Sequence, residues 1–310
     1  MQEGSHKAIA AAFFANLGIA VSKFVAFAFT GAASMLAESI HSVADTGNQA
    51  LLFLGGRRAR RPASATHQFG YGRERYFWAF VVALVLFSLG SLFAVYEGVQ
   101  KLIDPHKLDS PIFAFGVLGI AIVLESYSLR TAVIETRKVK GNRSWWRFIR
   151  TSKVPELPVV LLEDVGALTG LVFALLGVTL ATVTDEPAWD ALGSVAIGLL
   201  LGVIAVILAI EMKSLLIGEA ATPEVESQIR AAIEDSDDVE HLIHLRTEHL
   251  GPDDLLVAAK VDLGDQSSRE LSKSIDDLES RIRARVPAAR VIYIEPDEYR
   301  KGHAERRDPA

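Results

Sequence analysis

Two apolar stretches of this chain carry side chains that could hold a metal cation. The first reads Ala37-Glu38-Ser39-Ile40-His41-Ser42-Val43-Ala44-Asp45-Thr46-Gly47-Asn48-Gln49, and the second Val160-Leu161-Leu162-Glu163-Asp164-Val165-Gly166-Ala167-Leu168. His41 and Asp45 stand at i and i+4, so a helix projects both from one face, a turn apart. An imidazole nitrogen and a carboxylate oxygen at that spacing can grip one divalent ion. Glu38 falls on nearly the same face, and Asn48 and Gln49 extend it. Glu163 and Asp164 are neighbours, about 100° apart around a helix, so one of them at a time meets an ion directly. Two such helices side by side offer one imidazole and two or three carboxylates. Zinc is commonly four-coordinate with such ligands at about 2.0–2.2 Å. Cobalt, iron and manganese suit the same donors, since raw affinity does not select between them.

These residues lie in segments that read as membrane spans. A carboxylate at the centre of such a helix costs about 2.5–3.5 kcal/mol on insertion scales. Pairing, a metal or a water-filled path usually meets that cost. The chain has 310 residues, half of them hydrophobic. Its apolar runs predict six transmembrane helices, at about 8–30, 33–56, 76–102, 111–136, 155–183 and 188–217. There is no cysteine, so any metal is held by nitrogen and oxygen. The N-terminus lacks the pattern of a cleaved leader, and the first run reads as a retained helix.

The net charge of −6 is unevenly spread. Arg57, Arg58, Arg60, Arg61, Arg73 and Arg75 fill the gap between spans two and three. Arg137, Lys138, Lys140, Arg143, Arg147, Arg150 and Lys153 fill that between four and five. The remaining gaps are poor in Lys and Arg, so the basic gaps and both termini are expected on the cytoplasmic or matrix side. Arginines beside membrane helices argue against nucleic acid as a partner. Trp145, Trp146, Trp189, Tyr76 and Trp78 suit interfacial belts. Lys23, Glu97, Lys101 and Glu125 are expected to pair with one another or reach an interface, and Asn16 to serve as packing glue.

From Glu219 onward the chain turns polar. Thr222-Pro223-Glu224 opens a helix with an N-cap hydroxyl. Strands are expected over 241–249 and 255–262, broken by Leu250-Gly251-Pro252-Asp253-Asp254. A second helix starts near Ser267 and buries Leu271, Ile275, Leu278 and Ile282. Val291-Ile292-Tyr293-Ile294 is the last strand. The order α-β-β-α-β suits a small sheet with two helices on one face. Residues 300–310 are charged and expected to be disordered.

The whole pattern resembles the cation diffusion facilitators, which export zinc and related divalent metals. The resemblance rests on the six spans, the polar motifs in spans two and five, His67-Gln68-Phe69-Gly70-Tyr71-Gly72 before span three, and Asp190 at the start of span six. The tail, with Leu245-Arg246-Thr247 and Gly251-Pro252, also fits. The string from Ser39 to Gln49 and Leu162-Glu163-Asp164 look most like the branch that includes the mitochondrial zinc transporter of animals. The family builds its transport site from an HxxxD or DxxxD pair in span two and a second pair in span five. His41 and Asp45 match the first pair, and Asp164 the last acid of the second. The remaining position falls on Val160, which cannot bind metal. Glu163, then Glu38, then water are the substitutes. Family tails often carry metal sites, but here Lys260 and Ile294 stand where ligands would be sought. Strand alternation puts His241 and His249 on one face and His244 on the other.

The resemblance implies a helical membrane protein with a ferredoxin-like cytoplasmic α+β tail: 1–217 as membrane domain, 218–299 as tail domain. The metal residues would be His41, Asp45, Asp164, Glu163 and Glu38. The cargo would be zinc, with manganese, iron, cobalt or cadmium also possible by chemistry, exchanged for protons by alternating access. Histidine's unperturbed pKa of about 6.5 lets His41 exchange a proton near neutrality. Neither a cofactor nor enzymatic activity is expected, because the chain has no HExxH string or serine elbow. A homodimer in a bacterial inner membrane is expected. A non-transporting scaffold or metal sensor of the same fold is the alternative, and the Val160 departure favours it.

Overall fold

The computed structural model describes residues 13–14, 16–22, 24–25, 33–105 and 111–300. The chain divides into two compact units, one of Met1–Arg58 with Arg75–Lys213 and one of Ala59–Glu74 with Ser214–Ala310.

The first unit is helical. After a helical stretch within residues 13–25 come α1 (Ala33–Ala59), α2 (Glu74–Ile103), α3 (Pro111–Lys140), α4 (Trp145–Thr151), α5 (Glu156–Thr184) and α6 (Ala188–Ile217). Within α2, Leu86–Leu92 is π-helical. Among the described residues, four helices, those matching spans three to six, are long and apolar enough to cross a bilayer. The 29 residues of α5 extend about 43 Å, beyond the hydrocarbon core of about 30 Å. α1 has the length, at 27 residues, but its polar face keeps it out of that apolar set. Most of span one lies outside the described residues.

Local signals set the helix ends. Pro111 opens α3, and Ser144 caps α4 by accepting from the Arg147 amide at 3.2 Å. Asp185 ends α5 in the left-handed conformation, φ 55°. The outward faces of α5 and α6 carry Val172, Leu176, Val183, Leu199, Val203 and Ile210, which suits lipid rather than water. Hydroxyls on α5 turn back onto their own helix, as Thr169 does to the Val165 carbonyl at 2.7 Å, so these hydroxyls are not left bare in hydrocarbon.

α2 and α6 meet through small residues. A Cβ on Gly98 would lie 2.9 Å from the Ala191 carbonyl oxygen, and one on Gly198 would lie 2.9 Å from that of Ser91. Only glycine permits backbones this close. A buried ion pair joins α2 to α5: the Arg75 guanidinium donates to both oxygens of Glu156 at 2.5 and 2.7 Å. Tyr76 is fully buried, and its hydroxyl donates to the Lys153 carbonyl at 3.2 Å. The expected place for Tyr76 in an interfacial belt is therefore wrong, because its hydroxyl finds an internal acceptor. The basic gap after α3 also contains α4, whose Phe148 packs on Val154 and Leu157.

The second unit holds α7 (Pro223–Glu234), β1 (His241–Gly251), β2 (Asp254–Asp262), α8 (Ser268–Arg285) and β3 (Ala289–Pro296). The sheet order is β1-β2-β3, with β1 antiparallel and β3 parallel to β2. β2 buries every second residue, Leu255, Val257, Ala259 and Val261, against Ile229 and Ile233 of α7 and Leu278 and Ile282 of α8. Ser267 and Glu270 form a capping box on α8. Thr222 holds the N-cap position of α7, but its hydroxyl makes no cap bond; Pro223 supplies the start.

Residues 59–74 belong to this unit. Gly72 lies against Leu250 and Gly251 so tightly that a Cβ would sit 2.6 Å from the Leu250 carbonyl oxygen. Arg73 pairs with Glu248. His67 packs its ring on Tyr71 at 4.5 Å, whose hydroxyl meets Ser64 at 3.1 Å.

Candidate metal site

α1 and α5 bring their acidic residues into one cavity of about 270 Å³, lined by Asp45, Glu163 and Asp164. On α1, His41 precedes Asp45 by one turn, and Glu38 precedes His41 by nearly another. The side chains of Glu38 and His41 lie outside the described residues.

Glu163 faces α1. Asn48 Nδ2 donates to its Oε1 at 2.9 Å and Gln49 Nε2 to its Oε2 at 2.6 Å. All three residues are buried. The polar pair that extends the α1 face therefore grips the acid of α5. An ionised carboxylate accepts through about four lone-pair positions, so each Glu163 oxygen keeps capacity for a cation. Among the described residues, Asn48 Oδ1 and Gln49 Oε1 meet no donor. Two buried amide oxygens without donors beside a carboxylate leave the spot rich in acceptors, the composition a cation satisfies.

Asp164 is 1% exposed and accepts from Ser128 Oγ of α3 at 2.8 Å. Val160 is buried and does not line the cavity. Sequence reading gave Ser128 no role and read Glu125 as a pairing or interfacial residue. Glu125 is 6% exposed and lines the same cavity. Its spacing of three from Ser128 was the available signal, but it becomes readable only once α3 is known to pack along α5. Asn16 is buried and also lines the cavity. Lys101 does pair, with Glu97 at 3.3 Å and with Asp190 at 3.3 Å. Lys23 lies outside the described residues. The described lining carries the acids Asp45, Glu125, Glu163, Asp164 and Asp190 against the single base Lys101.

In the second unit, ligand atoms of Glu240, His241 and Asp262 lie within 4.8 Å of one another. Asp262 already accepts from the Tyr299 amide at 2.9 Å and the Gly264 amide at 3.0 Å. Those donors hold its carboxyl below the usual aspartate value. His241 stacks on Tyr299 at 4.5 Å. His249 is buried, with Nδ1 3.3 Å from the Gly251 carbonyl. Lys260 pairs with Glu295 and Asp297.

A family model described as cation efflux transmembrane domain matches residues 9–217. The human mitochondrial proton-coupled zinc antiporter SLC30A9 is 32% identical over 243 residues, 77% of this chain and 43% of that protein. Metal tolerance protein C4 of Arabidopsis thaliana is 30% identical over 264 residues, 84% of this chain and 58% of that protein. The magnetosome protein MamB of Magnetospira sp. (strain QH-2) is 23% identical over 286 residues, 91% of this chain and 92% of that protein. The match thus spans about half the length of the first two relatives.

Proposed function

The chain belongs to the cation efflux family of integral membrane proteins, and from that premise we propose that it exports a divalent metal ion, zinc foremost, in exchange for protons. The observation that carries the reading is the convergence of Asp45 from α1 with Glu163 and Asp164 from α5 in one acidic cavity. The printed name of the human relative, a proton-coupled zinc antiporter, supports zinc as cargo and protons as counter-ions.

In this reading six spans cross the bilayer, and the basic ends of α1 and α3 face the cytoplasm or matrix. A bacterial inner membrane is the proposed location and a homodimer the proposed assembly. The metal enters from the basic side and meets His41, Asp45 and Asp164. Glu163, held by Asn48 and Gln49, backs the site and offers its remaining lone pairs, and Glu38 is the further substitute ligand. Binding needs a neutral imidazole and ionised carboxylates, so the metal displaces protons. After the helices rock outward, entering protons compete the metal off. Exclusive occupancy by metal or protons couples the two flows, and no covalent step is involved.

Zinc flux into proteoliposomes under an imposed pH gradient tests this. Wild type should move zinc uphill and stop when the gradient collapses. His41→Ala with Asp45→Ala should abolish flux. Unchanged flux in that variant removes the site assignment, and uphill flux without a gradient removes the coupling. The buried Val160, which offers no ligand, favours a second reading as a non-transporting scaffold or sensor. Metal tolerance of cells expressing the chain separates the two, since a scaffold leaves tolerance unchanged.

A further inference from the structure

Two contacts peg α1 and α3 to one rung of α5. Asn48 and Gln49 of α1 donate to Glu163, and Ser128 of α3 donates to Asp164, the next residue along. In the transport reading the basic ends of α1 and α3, with Arg57 and Arg58 on one and Arg137, Lys138 and Lys140 on the other, lie on the same side. The two helices therefore run the same way, and α5 runs against them. Counting back three residues from the rung moves either helix about 4.5 Å away from the basic side. On α1 that step leads from Asn48 to Asp45. On α3 it leads from Ser128 to Glu125. The two carboxylates thus stand at about the same height, and both line the cavity that Asp164 lines.

Glu125 is 6% exposed. The rest of the face that α3 gives the cavity, Ala114, Val117, Leu118 and Ala121, is apolar. Among the described residues Glu125 is therefore the one ionisable side chain that this helix brings there. Ala167 stands at that height on α5 and lines the cavity too, and its methyl leaves the space before the acids open. Val160 lies one turn from Asp164 in the opposite sense, toward the basic end, buried and outside the cavity lining. A separate observation also marks this rung. Asn48 Oδ1 and Gln49 Oε1 are buried amide oxygens that meet no donor among the described residues, so the surroundings are rich in acceptors apart from the acids themselves.

Resting on the transport reading above, we propose that Glu125 is a direct metal ligand, supplied by α3 in place of the donor that Val160 cannot give. The ion is then held by His41 and Asp45 from α1, Glu125 from α3 and Asp164 from α5. Ser128 fixes Asp164 from behind, as Asn48 and Gln49 fix Glu163. Three carboxylates and one imidazole make an oxygen-rich set, which admits manganese beside zinc.

The test uses the full chain in detergent, with zinc as the probe. The chain has no cysteine, so Glu125→Cys introduces its only sulfur donor of that kind. X-ray absorption of the zinc-loaded variant should show one sulfur at about 2.3 Å, where wild type shows nitrogen and oxygen alone. A shell without sulfur in the folded, zinc-loaded variant would overturn the assignment, and would leave the transport reading standing. Wild type that binds no zinc would remove both. Should Glu125→Cys fail to fold, Glu125→His decides. Imidazole suits zinc and carboxylate suits manganese, so the ratio of zinc to manganese affinity should rise several-fold. An unchanged ratio would overturn the proposal, because a carboxylate that only packs α3 against its neighbours has no bearing on which ion is preferred.

Discussion

Removing the amides that hold Glu163 tests the joint between α1 and α5. Gln49 and Asn48 donate to its two oxygens at 2.6 and 2.9 Å, and the three residues are 0%, 1% and 5% exposed. Interhelical hydrogen bonds in membranes average about 0.6 kcal/mol and reach about 1.7 in double-mutant cycles. Bonds to a charged group in water-soluble proteins contribute about 1.5–3 kcal/mol. Both bonds end on the same carboxylate and differ in length, not in acceptor charge, so the shorter Gln49 bond should couple to Glu163 by about 1 to about 2 kcal/mol. The longer Asn48 bond should give about 0.6 to about 1 kcal/mol. Reversible unfolding in mixed micelles of Gln49→Ala, Glu163→Ala and the double variant measures the first term. The double variant should lose less stability than the sum of the singles, because the second substitution has no bond left to break. Zinc binding supplies an independent reading: loss of a partner behind a metal ligand typically costs about 10–100-fold in affinity, and Gln49→Ala should fall near the lower end. Strict additivity of the two singles, with unchanged zinc affinity, would refute the idea that α1 positions Glu163 for the ion.

Arg75→Ala should destabilise the first unit by about 3–5 kcal/mol, since it leaves Glu156 buried without its guanidinium; thermal unfolding measures it, and a paired Arg75→Met, Glu156→Leu variant should recover much of the loss. Gly72→Val should detach residues 59–74 from the β1–β2 turn, because its Cβ would lie 2.9 Å from the Gly251 Cα; hydrogen exchange should rise in that segment and at Leu250. In the second unit, Asp262 is lowered by the Tyr299 and Gly264 amides, Glu270 by Ser267, and Asp297 by Lys260. Folded values below unfolded ones mean that their stabilisation is full above the ordinary 3.8 and 4.5 and is lost as pH falls through the folded values. Lys260, raised by Asp297 and Glu295, contributes below its ordinary 10.5 and loses that share as pH climbs through its folded value. Circular dichroism melts across acidic and alkaline pH should show stability declining at both ends.

Periodicity and composition made the long apolar helices and the tail's strands legible, because burial there follows one repeating pattern. Leu278 and Ile282 on α8, and the alternation of β2, are read directly from spacing. The acidic residues of α5 were legible because a charge inside an apolar run is costly and so conspicuous. The division of labour between Glu163 and Asp164 was not. It depends on which neighbour each meets, Asn48 and Gln49 or Ser128, and helix pairing is a long-range fact that no local window contains. Tyr76 misled for the same reason: an amphipathic ring near a span end reads as interfacial until the Lys153 carbonyl is seen at its hydroxyl. The grouping of residues 59–74 with the tail rests on the mutual approach of Gly72 and Gly251, and nothing near either glycine announces the other.

The π-helical turn at Leu86–Leu92 gives α2 a property that α5 and α6 lack. Such a turn stores one surplus residue in an otherwise regular coil. Were it drawn out into ordinary α geometry, everything beyond it would turn by about 100° and shift by about 1.5 Å relative to the part before it. Lys101 stands beyond that slack and Arg75 before it. Such a turn lets the span twist at one end while the other stays bolted, and Lys101 would then part from Asp190 while keeping Glu97, which turns with it.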